Sequence, residues 1–537
     1  MDFEKAPRIE TITGYGNVRK KMEVKTMAYK MFAAIYVGSS EISMKIFQVN
    51  GRKSFRQIDS ISRILELGRD TYREGKLSQE SIRMICEELN GLKNKMDEYK
   101  ITEYRAYATS AVREAKNMDL VLDVIKHTTG IRVQVLSNSE QRYISFKGLV
   151  AKYEDFHQVV SKNTAFVDVG AGSVQISLFD KNNLVVTENI QIGAVRVRDY
   201  LALIGHKSGR LDEIMADYVD NDIVSFRNIY LKDKEIKNII AVGEVVSSLK
   251  KIVPELSIKD VITRAQFDAM YQRVISMPAQ ELAEKYGIPY ERATLMLPNI
   301  TIYQSFLNNC KAEEMYVPDV DFCECIVANY MDEGSRVVFN HNFEEDIVAT
   351  ANNIAKRYRC NWNHVNQTAY FALKIFDVIR KPFGLDKMQR LQLQIASILH
   401  ECGNFINLHD GAKNSYYIVA NTEILGLSHK ERMEVANVVR YNPLYLPSKD
   451  KISAELDGCD YIVIAKLAAI LRIANILDKS HMQKIEDISV TLKEDKLIIL
   501  AKTYEDISLE AGLFEARADF FEQIYGIRPV LRVKRSV

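Results

Sequence analysis

The sequence predicts an α/β first half, an all-α second half and a small α/β cap, and three observations carry that reading. A strand–turn–strand unit occurs twice: IYVGSSEISMKIF (Ile35 to Phe47) aligns without gaps to VDVGAGSVQISLF (Val167 to Phe179). From about residue 340 the apolar pattern changes from alternation to helical spacing, and the tail from 486 reads as two strands, a helix and a last strand. The implied segments are an appendage at 1–30, the two halves of the repeat at 31–160 and 161–335, a helical domain at 336–485 and the cap at 486–537.

Each copy of the repeat has an apolar strand, a tight turn at Gly38 or Gly170, and a second strand. Each then runs into a hairpin signal, Asn50-Gly51 in the first and Asp180 to Asn183 in the second, which continues into the strand LVVTENIQI. Turns without bulky side chains let consecutive backbone N–H groups approach an anion closely. Two such turns facing one another would grip a phosphate chain from both sides.

A chain of 537 residues is too long for one hydrophobic core, and 47% apolar with 27% charged residues is the composition of a globular protein. Lysine plus arginine (72) balances aspartate plus glutamate (71), so no global field directs the chain to nucleic acid or to an anionic membrane. Any polyanion must be held by a local patch. Seven scattered cysteines without paired metal spacing favour a reducing compartment. The start MDFEKAPRIE has no apolar signal core, and YIVIAKLAAILRIANIL is interrupted by Lys466 and Arg472, so it reads as a buried helix. The expected location is cytoplasmic.

The order of these blocks resembles the exopolyphosphatase and guanosine pentaphosphate phosphatase (Ppx/GppA) family of the actin-like superfamily. Ala108 to Asn117 (ATSAVREAKN) is similar to a family block that delivers an arginine, here Arg113, toward the phosphates. Val135 to Arg142 resembles the family's SG-x-EEA segment, whose first glutamate acts as catalytic base; that position is Glu140. Gly193-Ala-Val-Arg196 and Ile239 to Glu244 resemble the blocks that follow the second turn, so the likeness runs from about Phe32 to Leu307. The resemblance implies duplicated actin-like (ribonuclease H-like) phosphate-binding domains and phosphoanhydride hydrolysis. Glu140 would act as base and Arg113 as a planar fork for phosphate oxygens. Gly38, Ser39, Ser40, Gly170, Gly172, Ser173 and Gly243 would line the phosphate site, and Asp168 would hold Mg²⁺.

The chain also departs from the family pattern. Tyr36 stands where the first loop carries an acid, Gln175 where the second loop ends in one, Glu244 at a glycine position, and Phe322 to Cys325 where the family has L-R-D-G. Two readings follow. In one, Glu41 partly replaces the missing acid and the chain releases terminal orthophosphate from inorganic polyphosphate, with guanosine pentaphosphate as a further substrate. In the other, the cleft only senses polyphosphate or guanosine penta- or tetraphosphate.

In the second half, Leu399-His-Glu-Cys-Gly403, Asn414 to Ile418, Gly426 to Glu431 and Arg472 to His481 resemble the HD-like helical domain of longer family members. His364, His400 and Asp478 would meet there, but Glu401 and Asn414 replace an aspartate and a histidine of the pattern, which points to a structural role. Ser428 and Glu431 read as a helix capping box. The resemblance further implies a homodimer.

Overall fold

The computed structural model describes residues 29–50, 54–153, 155–204, 211–231, 234–243, 245–333, 341–456 and 458–535. Almost all of the expected N-terminal appendage, Gly51 of the first hairpin signal and Glu244 lie outside them.

The first sheet contains β1 (Lys30–Val37), β2 (Glu41–Asn50), β3 (Ser54–Ile64), β4 (Glu103–Ala108) and β5 (Gln134–Val135), in the order β3-β2-β1-β4-β5. The second contains β6 (Thr164–Val169), β7 (Val174–Asp180), β8 (Asn183–Ile190), β9 (Asn238–Val242), β10 (Val261–Thr263) and β11 (Glu314–Tyr316), in the order β10-β11-β9-β6-β7-β8. The central strands β1 and β6 are almost wholly buried, as strands flanked on both sides of a sheet must be.

The duplication extends to the register. β1 and β2 are antiparallel and β4 runs parallel to β1; β6, β7 and β9 repeat that arrangement. Val37 pairs with Ile42 and Val169 with Val174, at equivalent places in the aligned segments. Even the irregularity is repeated, between Ile46 and Phe47 in one copy and between Leu178 and Phe179 in the other. Gly38 N–H donates to Glu41 C=O at 2.8 Å, and Gly170 N–H to Ser173 C=O at 3.0 Å. The hairpin joining β7 to β8 turns on Lys181 and Asn182, both at positive φ (51° and 66°), as a two-residue turn requires.

Helix Asn138–Lys152 packs against helix Phe322–Glu333 at Gly148, where an added Cβ would stand 2.7 Å from the Cα of Cys325. That contact fixes which face of the first helix turns to the space between the sheets.

Helices Phe343–Arg357, Trp362–Ile379, Lys387–Leu399, Gly411–Asn421, His429–Tyr441 and Tyr461–Ile476 share one apolar core. Tyr461–Ile476 is its central helix. Buried Arg472 is tolerated there because its Nε and Nη2 donate to Tyr441 C=O at 2.9 and 2.7 Å. The Ser428 and Glu431 capping box forms as expected. The cap is a sheet of β12 (Ile485–Lys493), β13 (Lys496–Thr503) and β14 (Arg528–Arg535) with helix Ser508–Tyr525, whose Phe514 and Phe521 are buried. Among the described residues no helix is long and apolar enough to cross a membrane.

Candidate active site

Between the two sheet-bearing lobes lies a cavity of about 290 Å³. Ser39 lines it from the first turn, Gly170 and Ser173 from the second, and Gly243 from the end of β9. Gly38, Ser40 and Gly172 belong to the same turns but do not reach its wall.

The second turn is built on contacts only glycine allows. A Cβ on Gly193 would stand 2.3 Å from both Ala171 O and Ser173 N, and Ala194 and Val195 N–H groups donate back to Gly170 and Ala171 carbonyls. Gly193→Ala is therefore expected to push the turn out of place, with a stability loss of about 1–3 kcal/mol and a larger loss of anion affinity, read by thermal unfolding and by titration with tripolyphosphate. Gly243 (φ 142°) is likewise pressed on Val169 O, 2.5 Å from where a Cβ would be.

Asp168 is the penultimate residue of β6, between Gln175 and Val242 on the neighbouring strands. It is 8% exposed, faces the cavity and receives no hydrogen bond from any described residue. Burial pushes its carboxyl up to about 6, partly countered by the Arg142 charge. Gln175 Oε1, also on this wall, is a buried acceptor without a partner among the described residues. A carboxylate and an amide oxygen that lack donors among the described residues are the hard oxygen ligands Mg²⁺ takes, so the residues present fit that ion. Glu41, the expected replacement acid, faces the cavity but is paired with Arg292 at 2.6 Å.

Tyr36 occupies the first turn. Its Cε1 would be 2.6 Å from a Cβ on Gly38, and its ring packs on Phe322 at 5.0 Å between centroids. An aromatic ring thus covers the place where the resembled pattern carries an acid.

Glu140 and Arg113 meet a different environment. Glu140 accepts the Ser137 N–H at 2.8 Å while Ser137 Oγ accepts the Glu140 N–H at 3.2 Å, a capping box at the start of the helix. It lines a second cavity of about 1330 Å³ with Tyr107 and Lys147, and burial raises its carboxyl above the usual range. Arg113 donates to Leu136 C=O at 2.6 Å and to Asn138 Oδ1. The helix residue that lines the interlobe cavity is Gln141, with Ser145 one turn on. Sequence reasoning passed over Gln141, Ser145, Lys45 and Arg292. The i, i+4 spacing of Gln141 and Ser145 was the available signal for the first two.

In the helical domain His364 Nδ1 lies 2.8 Å from Asp478, His364 Nε2 lies 3.3 Å from His400 Nε2, and His481 stacks on His364 at 3.7 Å. Glu401 lies 4.0 Å from His364, while Asn414 is not part of the cluster. Burial pushes His400 down to about 4, and its Nδ1 meets Ser397 C=O at 2.8 Å. The donor atoms of His364, His400 and Glu401 fall within 4.8 Å of one another, close enough for one cation to bridge.

A profile of the Ppx/GppA phosphatase family matches residues 46–331, and one of that family's domain III matches 348–515. The chain is 20% identical over 475 residues to a guanosine-5'-triphosphate,3'-diphosphate pyrophosphatase of Photobacterium profundum, covering 87% of this chain and 91% of that one. It is 21% identical over 500 residues to the enzyme of the same description from Vibrio vulnificus, covering 91% and 96%. Among solved structures it is similar to the Aquifex aeolicus Ppx/GppA family member (TM-score 0.47, 18% identity, 59% of this chain and 100% of that one). It is also similar to an exopolyphosphatase from Cytophaga hutchinsonii (TM-score 0.48, 17% identity, 57% and 98%). With the family profile spanning more than half of its length, the second glycine turn included, the chain belongs to the Ppx/GppA phosphatase family.

Proposed function

We propose that this chain is a phosphoanhydride hydrolase that releases terminal orthophosphate from inorganic polyphosphate or guanosine pentaphosphate in the interlobe cleft. The observation that carries the reading is Asp168, a buried carboxylate without a hydrogen-bond donor among the described residues, facing a cavity walled by two glycine turns. Asp168 with Gln175 would hold Mg²⁺, which supplies charge neutralisation for the phosphate oxygens. The turn N–H groups, Lys45 and Arg292 would take up charge on the phosphate chain. Phosphoryl transfer passes through a loose transition state that needs a positioned water more than a strong base, and an amide can orient that water. Gln141 is the amide of helix Asn138–Lys152 that lines the cavity, beside Ser145, so it takes this role, and Glu140 holds the helix start.

Phosphate release with Mg²⁺ from long-chain polyphosphate and from guanosine pentaphosphate tests the proposal. Glu140→Gln is expected to cost about 1 kcal/mol of stability and to leave turnover within about threefold of wild type. Gln141→Ala is expected to lower turnover by about 10²-fold. A hundredfold loss in Glu140→Gln with Gln141→Ala unaffected would return the catalytic role to Glu140.

A second reading, a sensor that binds the same ligands without turning them over, is favoured by Tyr36 over the first turn and by amides at both Gln141 and Gln175. Its signature is micromolar binding of either ligand by calorimetry with no phosphate release from wild type.

A further inference from the structure

The two turns are joined by a side chain that neither the family pattern nor the mechanism above uses. Tyr72, on helix Leu67–Glu74 of the first lobe, reaches across to the second. Its hydroxyl lies 2.9 Å from Ser39 Oγ and donates to Ser110 Oγ at 2.9 Å, while the two serine hydroxyls are 3.0 Å apart. On the far side a Cβ on Gly172 would stand 2.3 Å from Tyr72 Oη, so the second turn touches the phenol directly. Arg196 of the second lobe covers the ring, its guanidinium 4.3 Å from the centroid, and its Nε donates to Gly172 C=O at 2.6 Å. Arg196 also pairs with Glu114 of the first lobe. The helix is pinned to the first turn by Gly68 N–H donating to Ser39 C=O at 2.8 Å. Burial raises the phenol above its usual range, so it is a neutral donor at physiological pH.

The cavity wall runs through Ser39, Ser110, Ala171 and Ser173, and Tyr72 stands behind it in the seam between the lobes. A phosphate lying between the turns therefore has no exit on that side. We propose that Tyr72 is a specificity-determining residue that makes the cleft blind at one end, so that only the terminus of a phosphate chain is seated between the turns. The inference rests on the cleft being the phosphate site.

The test is calorimetric titration of the full chain, in Mg²⁺, with linear tripolyphosphate and with cyclic trimetaphosphate, which has no chain end. The two ligands differ in charge, but that difference is common to all variants, so the change in their affinity ratio reads geometry. Wild type is expected to prefer the linear ligand by at least about tenfold. Tyr72→Ala opens the seam and should bring the ratio below about threefold, whereas Tyr72→Phe keeps the ring and the preference. If circular dichroism shows that the alanine variant is unfolded, Tyr72→Leu, which keeps apolar bulk but falls short of Gly172, takes its place with the same expected loss. An unchanged ratio in the opened variant overturns the role of Tyr72. Binding of neither ligand to wild type overturns the phosphate-site reading itself.

Discussion

Asp168→Asn is expected to reduce phosphate release by about 10²-fold or more and, in metal-free buffer, to make the protein more stable at pH 8. The amide keeps the shape of the side chain and removes the charge that, in the proposed mechanism, would hold the cation. The stability gain follows from the same burial. The carboxyl is moved from 3.8 to about 6 by desolvation, so the folded state binds its proton more tightly than the unfolded state does. Protonated Asp168 is tolerated, and that advantage is fully present below pH 3.8 and is lost as the pH rises through about 6. Above this range the ionised carboxylate costs about 3 kcal/mol, at about 1.4 kcal/mol per pH unit of displacement. Asparagine carries no such cost. Thermal unfolding in EDTA should therefore give coincident curves near pH 4 and a higher midpoint for the variant at pH 8. A variant less stable than wild type at pH 8 would mean that the carboxylate is already compensated in the folded protein. Loss of activity with gain of stability is the behaviour of a group retained for its chemistry.

What the sequence made legible was local and periodic. The thirteen-residue repeat predicted paired strands around two glycine turns, and the structure repeats both the register and the bulge. The change of hydrophobic period placed the helical domain, and a sequence of two strands, a helix and a strand placed the cap. Of the residues expected at the site, those that line the interlobe cavity are ones whose place backbone conformation decides: Ser39, Gly170, Ser173, Gly243 and Asp168 on its strand. Glu140 and Gln141 show why the rest was not. Neighbouring residues on a helix point about 100° apart. Which of them faces the cleft depends on how Gly148 lets the helix settle on Cys325, a contact made across more than a hundred and seventy residues of chain. A motif locates the start of that helix but not its rotation. Arg292 was invisible for a related reason: it reaches Glu41 from a distant helix, and nothing in either local pattern marks the pair. The histidine cluster did form around His364, His400 and Asp478, with His481 as an unexpected fourth member stacked on the first.

Arg142→Met is expected to destabilise the protein by about 3–5 kcal/mol and to move the acid limb of its pH–rate profile upward. Arg142 is 0% exposed, the residue following Gln141 on the same helix, and it ties three parts of the chain together. Its Nη2 donates to Glu188 C=O on β8 at 2.8 Å, and its Nη1 stands 3.1 Å from the Glu423 carboxylate of the helical domain. The Nη1 geometry makes an ion pair rather than a hydrogen bond, and Nε finds no partner among the described residues, so the guanidinium is incompletely satisfied by them where it is buried. Such a pair adds little over a well-packed apolar replacement, but removing one member strands the other charge. Arg142→Met with Glu423→Leu should accordingly recover most of the stability lost by the single variant, a coupling that a double-mutant cycle measures. The kinetic effect has a separate origin. The Arg142 charge holds the Asp168 carboxyl lower than burial alone would, so without it Asp168 ionises only at a pH above about 6. If the double variant regains stability while its acid limb stays displaced, Arg142 acts on Asp168 through its field. If the limb returns with stability, the shift was a consequence of loosened packing, and the helix rather than the charge connects the helical domain to the cleft.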